Sequence, residues 1–366
     1  MALLCAFSSG IDLNWIGRVN AQRALQGLSG GLMAATLLAA ALPFSFATHA
    51  AAQTAPVLVE IPLRIAAGPP GGAMFPVAGI MANIVSNPPG GPPCPQDRVC
   101  GFSGLVGEAR ATSGSVANLE SMAAGQSETA IVEGDLLWQA ANGFGAFAGR
   151  PLGDLRALAV LYTESVMLLV RADSPFQSIA DLRQRTVSIG ADDDPHLHTV
   201  RQILAGQNVR PRDLTQIHLT PQAAAAALAY GDIDAAIVVA PSLPAPFRAV
   251  AERTPLRLLP VAADAVEALT GYYPYMLSVD IGDLAEGRER TPGIALAVLW
   301  VATQQLPAPI AFGAVRSLMA PANRQALARA LPASSAVAPE KELRRSPIRL
   351  HPGAARYFEE ASGVVR

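Results

Sequence analysis

The chain has 366 residues, of which 51% are hydrophobic and 15% charged, so it is long enough to build a large core in about two domains. Its 27 basic and 29 acidic residues give a formal net charge of −2, which argues against nucleic acid as a partner because phosphates require a basic face. A multispanning membrane protein is not indicated either, since only one segment approaches the roughly 20 apolar residues of a membrane span.

The first 52 residues have the pattern of a secretory signal peptide. Two arginines precede a short apolar stretch over residues 28–42, and small residues follow it. This order predicts cleavage near Ala50 or Ala52. A retained membrane anchor is the alternative, but the apolar stretch is short for a span and contains two glycines.

Two cysteines remain after the predicted cleavage. Cys94 and Cys100 lie in a loop rich in glycine and proline, over residues 88–104. An even pair in an exported protein predicts a disulfide that clamps this loop. A metal or redox site is the alternative, but no second cysteine pair supports it and the spacing is not that of a CxxC motif.

Strands and helices alternate in the first part of the predicted mature chain. In chain order we predict a strand over 63–67, a helix over 76–85, a strand over 105–112, a helix over 116–124, a strand over 129–133 and a helix over 134–142. This order is typical of a mostly parallel sheet with flanking helices.

A second series of elements follows. We predict strands over 155–162 and 165–170, then a strand over 186–189, a helix over 196–206, a strand over 216–219, a helix over 221–230, a strand over 235–239, a helix over 245–253 and a strand over 256–260. An extended segment over 272–281 and helices within 291–331 and over 353–360 complete the chain. The whole pattern predicts an α/β protein of two lobes with a ligand at the carboxyl ends of the strands.

Two turns rich in small residues connect strands to helices in the first lobe, over Gly68–Gly72 and Ser113–Ser115. Glycines let backbone N–H groups approach a ligand, and a helix N-terminus adds partial positive charge, so both turns can hold a carboxylate or a phosphate. Ordinary helix capping by serine, with no ligand, is the alternative.

An acidic turn, Asp192–Pro195, precedes a helix in the second lobe and is followed by His196 and His198. Three carboxylates suit the positive end of a helix dipole, which is the simplest interpretation. A metal site is a second one, although two histidines two residues apart do not share a helix face. In a third, the turn faces the cleft and attracts a cationic group of the ligand.

The sequence contains no pattern of catalytic residues. Motifs for a nucleophile elbow, a zinc protease or a reactive cysteine are missing, and the five histidines have no paired acid or base by motif. We therefore expect a protein that is not an enzyme and that needs no cofactor or resident metal.

Seven segments, in order, resemble the TAXI solute receptors of TRAP transporters. They are residues 65–79, 113–125, 133–143, 155–162, 181–190, 231–235 and 350–360. The resemblance implies the two-lobed periplasmic-binding-protein fold (type II-like), with lobe one over 57–164, lobe two over 165–271, and residues 272–366 returning to lobe one and ending in helices. It also implies a periplasmic location, a small-molecule solute and the membrane permease subunits of a TRAP transporter as partners.

The chain departs from the family pattern where a ligand is expected. Paired tyrosines are replaced by Met74 and Phe75, a Gln-Ser pair by Glu133 and Gly134, and an anion-holding turn by the acidic turn. Proline has no N–H and carboxylates repel a carboxylate. A zwitterionic, cationic or neutral solute therefore competes with the small carboxylates typical of the family.

We predict a receptor whose lobes close around a small polar solute. A solute sensor or partner-binding protein that keeps the fold without transport is the alternative, and an exported hydrolase is a more distant one. The residues expected to contact the solute are Gly71, Gly72, Phe75, Ser113, Gly114, Ser115, Asn118, Asp135, Tyr162, Asp192, Asp194 and His196.

Overall fold

The structure is a computed structural model, which describes residues 60–94, 96, 99–282, 290–331 and 346–362. The predicted signal peptide, residues 1–52, lies outside these residues. Within them the chain forms a mixed α/β fold, in which helices flank a central sheet. The predicted fold class is confirmed.

Ten strands of the described residues form one sheet. They are β1 (Ile61–Ala66), β2 (Leu105–Arg110), β3 (Thr129–Glu133), β4 (Leu155–Arg171), β5 (Thr186–Ser188), β6 (Thr215–Ile217), β7 (Ala235–Ala240), β8 (Leu256–Leu258), β9 (Met276–Ile281) and β10 (Thr291–Thr303). The order across the sheet is β2-β1-β3-β10-β4-β7-β5-β6, with β8 beside β4 and β9 beside β10. We call β1, β2 and β3 the first half-sheet and β5, β6 and β7 the second half-sheet; strands pair in parallel within each.

The helices of the described residues connect and cover these strands. They are α1 (Met74–Val85), α2 (Ser115–Ala123), α3 (Gly134–Asn142), α4 (Leu197–Gly206), α5 (Pro221–Tyr230), α6 (Ala245–Ala251), α7 (Ala263–Tyr272), α8 (Ala308–Met319), α9 (Pro321–Arg329) and α10 (Pro352–Ala361). Of the helices that the structure describes, none has the length and apolar character needed to cross a bilayer.

Two long antiparallel strands join the half-sheets. β10 pairs with β3 through residues 298–302 and with β4 through residues 295–303. β4 continues beyond β10 and pairs with β7 through residues 165–169. The half-sheets are therefore joined in series, through β10 beside the first and β4 beside the second.

Apolar side chains cover both faces of the sheet around each half. Leu63 and Ile65 of β1 pack with α1 and α8 on one face, and Ala130 and Val132 of β3 pack with α2 and α3 on the other. Two further clusters enclose the second half-sheet. The division into lobes at 57–164, 165–271 and 272–366 stays a prediction.

The structure differs from the predicted elements in three places. Residues 155–171 form one strand instead of two, because Thr163 and Glu164 keep the extended pairing with β10. Residues 291–303, predicted as helical, form β10, whose apolar run is buried on both faces between β3 and β4. A helix that was not predicted, α7, precedes β9. The predicted disulfide is present, with the Cα atoms of Cys94 and Cys100 5.8 Å apart.

His351 begins the last helix and makes stability depend on pH. Its Nδ1 accepts a hydrogen bond from the Gly353 N–H (3.1 Å), its Nε2 donates to the Leu306 carbonyl (2.9 Å), and burial lowers its pKa. The unfolded chain therefore binds this proton more readily, so the free energy of unfolding should fall as the pH drops below about 6.5. Urea denaturation at pH 7.5 and 5.5 measures the loss. It should be smaller in His351→Gln, which stays neutral; equal losses would contradict the assignment.

Candidate functional site

A buried polar cluster lies where β3, the middle of β4 and the start of α4 meet. We call it the central cluster, and it comprises Ser115, Glu133, Asp135, Tyr162, Glu164, His196 and Thr199. Ser115, Glu133 and Asp135 belong to segments next to the first half-sheet, whereas His196 and Thr199 follow β5 of the second. Each of these residues is less than 10% exposed, so their polar groups must be satisfied within the protein or by a ligand.

An ion pair joins the two sides of the central cluster. His196 Nδ1 lies 2.9 Å from Asp135 Oδ2 and donates to it, because an ionised carboxylate only accepts. Thr199 Oγ1 donates to the same oxygen (2.7 Å), and the Leu136 N–H donates to Asp135 Oδ1 (2.9 Å). Burial lowers the pKa of His196, but Asp135 outweighs it and raises that pKa to about 10. Burial likewise opposes ionisation of Asp135, but His196 and these donors hold its pKa below the usual value.

Two glutamates face this pair. Glu133 ends β3 and accepts a hydrogen bond from the Ser115 hydroxyl, whose oxygen accepts from the Glu133 N–H (3.1 Å). Glu164, in the middle of β4, accepts from the Tyr162 hydroxyl (3.5 Å). Burial and the repulsion of Glu164 raise the pKa of Glu133 to about 8, and burial raises that of Glu164 to about 7. Both groups therefore hold protons near neutral pH when nothing positive lies between them.

Glu133, Glu164 and His196 have the donor atoms of a metal site. One ligand atom from each lies within 4.8 Å of the others, and His196 Nε2 is 4.0 Å from Glu133 Oε1. Within the described residues, the carboxylates of the central cluster contact His196 and neutral donors. The cluster is therefore suited to a group that carries positive charge.

Aromatic side chains pack together between α3 and α4. Trp138 packs edge-on against Phe144 and Tyr273, with ring centroids 4.8 and 5.9 Å apart. Tyr275 is buried beneath them, and its hydroxyl donates to Gln202 Oε1 of α4 (3.1 Å). These contacts strengthen the connection that the Asp135–His196 pair makes.

Four of the residues predicted from the sequence lie in the central cluster: Ser115, Asp135, Tyr162 and His196. Asp194 lies beside it, because its Oδ1 accepts a hydrogen bond from the His196 N–H (2.8 Å). Their placement brings together predicted residues from segments next to the first and the second half-sheet.

The other predicted residues lie elsewhere. Asn118 is fully buried, and its amide joins the turn at Gly68 to β3: Oδ1 accepts from the Gly68 N–H (3.2 Å) and Nδ2 donates to the Ile131 carbonyl (2.7 Å). The Asp192 side chain is 91% exposed and pairs with His218 Nδ1 (3.8 Å). The remaining predicted residues lie in the turns over 68–72 and 113–115 and at the start of α1: Gly71, Gly72, Phe75, Ser113 and Gly114. Their contact with a solute stays a prediction.

Glu164 and Thr199 belong to the central cluster but were not identified from the sequence, and Glu133 was noted only as a departure from a family pattern. The sequence did contain an indication for Glu164: it lies within a long apolar segment, and a carboxylate is costly to bury unless it is paired or hydrogen-bonded. Thr199 had no such signal, since it occupies one turn of an ordinary amphipathic helix.

The sequence profile of the NMT1-like family matches residues 65–362. Among solved structures, the chain is similar to a TctC solute-binding protein from Polaromonas, with 16% identity and a TM-score of 0.50 over 82% of this chain and 98% of that one. It is also similar to the periplasmic sulfonate-binding protein SsuA from Methylobacillus flagellatus (16% identity, TM-score 0.45, 85% and 89% covered) and to SsuA from Escherichia coli (14%, 0.42, 81% and 82%). The likeness to the Polaromonas protein shows a shared fold.

Proposed function

The chain belongs to the NMT1-like family, and from this premise and the geometry of the central cluster we propose that it is a receptor that captures a small polar solute between two lobes. The observation that carries the proposal is the convergence of side chains from both half-sheets on one buried polar cluster. A ligand that contacts both sides stabilises the closed arrangement by its differential affinity for it.

We also propose that this receptor is exported and serves a transporter. The Polaromonas, Methylobacillus and E. coli proteins are named as solute-binding or periplasmic sulfonate-binding proteins. The resemblance to TAXI receptors supports delivery of the solute to the permease subunits of a TRAP-type transporter, from a periplasmic location and without catalysis. A gene for such a permease beside the gene for this chain would support this assignment, and its lack would favour a sensor that has kept the fold.

The chemistry of the central cluster favours a solute with a positively charged group. Carboxylates outnumber the imidazole of His196, and an amine placed among them is attracted by the same Coulomb energy that repels a second carboxylate. The backbone N–H groups at the start of α2, beside Ser115, would hold the opposite end of a zwitterion. This arrangement favours amines and amino acids over simple dicarboxylates.

A thermal-shift screen of the purified protein tests the receptor role. Amines, amino acids, organic acids and sulfonates should be added in the presence of a chelator, and a true solute should raise Tm with concentration. The Tyr162→Phe variant should bind that solute about three- to tenfold more weakly, the cost of one hydrogen bond. Tyr272→Phe is the matched control, since Tyr272 is 72% exposed. A folded protein that none of these classes stabilises, or equal effects of the two variants, would refute the proposal.

A further inference from the structure

We propose that Glu133, Glu164 and His196 bind a divalent transition-metal cation, with Zn²⁺ the best match, between the two half-sheets. The inference deepens the proposed function, on which it rests for the closure of the lobes, and names the chemistry of the same site.

The protein supplies three ligands, as in metal sites that leave one coordination position for water or substrate. Two carboxylates and one imidazole offer oxygen and nitrogen, which Zn²⁺ accepts in sites that keep a fourth position open. Their ligand atoms all lie within 4.8 Å of one another. Bonds of about 2.0–2.1 Å in a tetrahedron place neighbouring ligand atoms about 3.3 Å apart, so small side-chain movements are enough to complete the site.

His196 presents the correct nitrogen. Its Nδ1 is engaged by Asp135, whereas its Nε2 has no hydrogen-bond partner among the described residues and lies 4.0 Å from Glu133 Oε1. The His196 side chain is 10% exposed, so this nitrogen lies within the central cluster. In the metal-free protein this nitrogen carries a proton; a cation between Nε2 and Glu133 would take the place of that proton and of the proton on Glu133.

A second layer of hydrogen bonds orients all three donors. Asp135 holds the imidazole through Nδ1, as carboxylates commonly do for metal-binding histidines. The hydroxyls of Ser115 and Tyr162 donate to one oxygen each of Glu133 and Glu164, which leaves the other oxygen of each free. Asp135, Ser115 and Tyr162 are therefore positioning residues for the site.

The type of ion follows from the ligands. Ca²⁺ and Mg²⁺ prefer six or more oxygen ligands, and an imidazole nitrogen suits them poorly. The fourth position of a tetrahedral ion remains for water or for an oxygen of a bound solute. A metal here would link Glu133, in the first half-sheet, to His196, which follows β5 of the second half-sheet. It would also offer a positive centre to a carboxylate or hydroxyl group of the solute.

Metal binding is measured directly on the purified protein after treatment with a chelator. Equilibrium dialysis should give one Zn²⁺ per chain, ZnCl2 should raise Tm with concentration, and MgCl2 should not. Co²⁺ in the same site should give the visible absorption of a tetrahedral ion. No stoichiometric Zn²⁺ on the wild-type protein would overturn the proposal.

Variants with matched controls separate this site from surface binding. His196→Ala and Glu164→Gln should each weaken Zn²⁺ binding more than 100-fold, an order-of-magnitude expectation for loss of one ligand of three. Asp135→Asn should weaken it about 10- to 100-fold. His198→Ala, an exposed histidine on the same helix, and Glu108→Gln, an exposed glutamate, should leave it unchanged. An equal loss in the control variants would overturn the assignment.

The results also distinguish this inference from the receptor role. If a solute stabilises the chelator-treated protein and no Zn²⁺ binds under any condition, the receptor role is supported and the metal site is overturned. Stoichiometric Zn²⁺ that depends on His196, with no stabilising solute either with or without the metal, would support the metal site and overturn the receptor.

Discussion

Replacing Trp300 with alanine should lower the free energy of unfolding by about 3–5 kcal/mol, as is usual for large-to-small changes in a core. Trp300 is fully buried in β10 and lies opposite Ile131 of β3 and Ala159 of β4. Because both neighbouring strands are fixed by hydrogen bonds, the surroundings cannot collapse into the space that the indole leaves. Urea denaturation followed by circular dichroism measures the loss.

Trp300→Phe is the matched control. The indole Nε1 is buried and has no hydrogen-bond partner within the described residues, so phenylalanine removes an unsatisfied donor together with some volume. The loss should therefore be no more than about 1.5 kcal/mol, the usual limit for a hydrophobic exchange that roughly conserves volume. A loss in Trp300→Ala no larger than that in Trp300→Phe would contradict the role of β10 as the packed centre of the fold.

Replacing Asp135 with alanine should cost about 3–5 kcal/mol of unfolding free energy, because it leaves the buried imidazolium of His196 without its partner. Thr199 and the Leu136 N–H also lose their acceptor. The same denaturation experiment, performed without metal at pH 7, gives the value.

Glu360→Ala is the comparison for an exposed pair. Arg356 and Glu360 form an exposed ion pair one turn apart on α10, and its loss should cost at most about 0.5 kcal/mol. Asp135→Asn keeps the shape of the side chain, so its loss of unfolding free energy should lie between those of Asp135→Ala and Glu360→Ala. If Asp135→Ala costs less than about 1 kcal/mol, the pair must already be open to water in the free protein.

Local sequence signals were enough for much of the fold. β3, α3 and α5 have the predicted bounds, since each is limited by turn or capping residues such as Gly143 and Gly231, which adopt a left-handed backbone. β10 was not predictable in this way, because a continuous apolar run from Ile294 to Ala302 fits a buried helix as well as a central strand. Only the pairing with β3 and β4 decides between them.

The central cluster was partly predictable. Ser115, Asp135 and His196 were identifiable because each lies at the start of a helix, where polar residues after a strand indicate a site. Glu164 was interpreted as a break between two strands, whereas it is a buried carboxylate in the middle of one. Which acidic groups turn inwards also depends on tertiary packing: Asp192 and Asp194 are two residues apart, yet only Asp194 contacts the backbone of His196.

A crystal structure of the protein with the solute found in the screen, grown with and without Zn²⁺, tests the central claim most directly. We expect the solute, alone or through the ion, to contact Glu133 or Tyr162 on one side and His196 or Thr199 on the other. A solute that binds away from the central cluster, or that touches one side only with the two sides apart, would contradict a receptor that closes around this cluster.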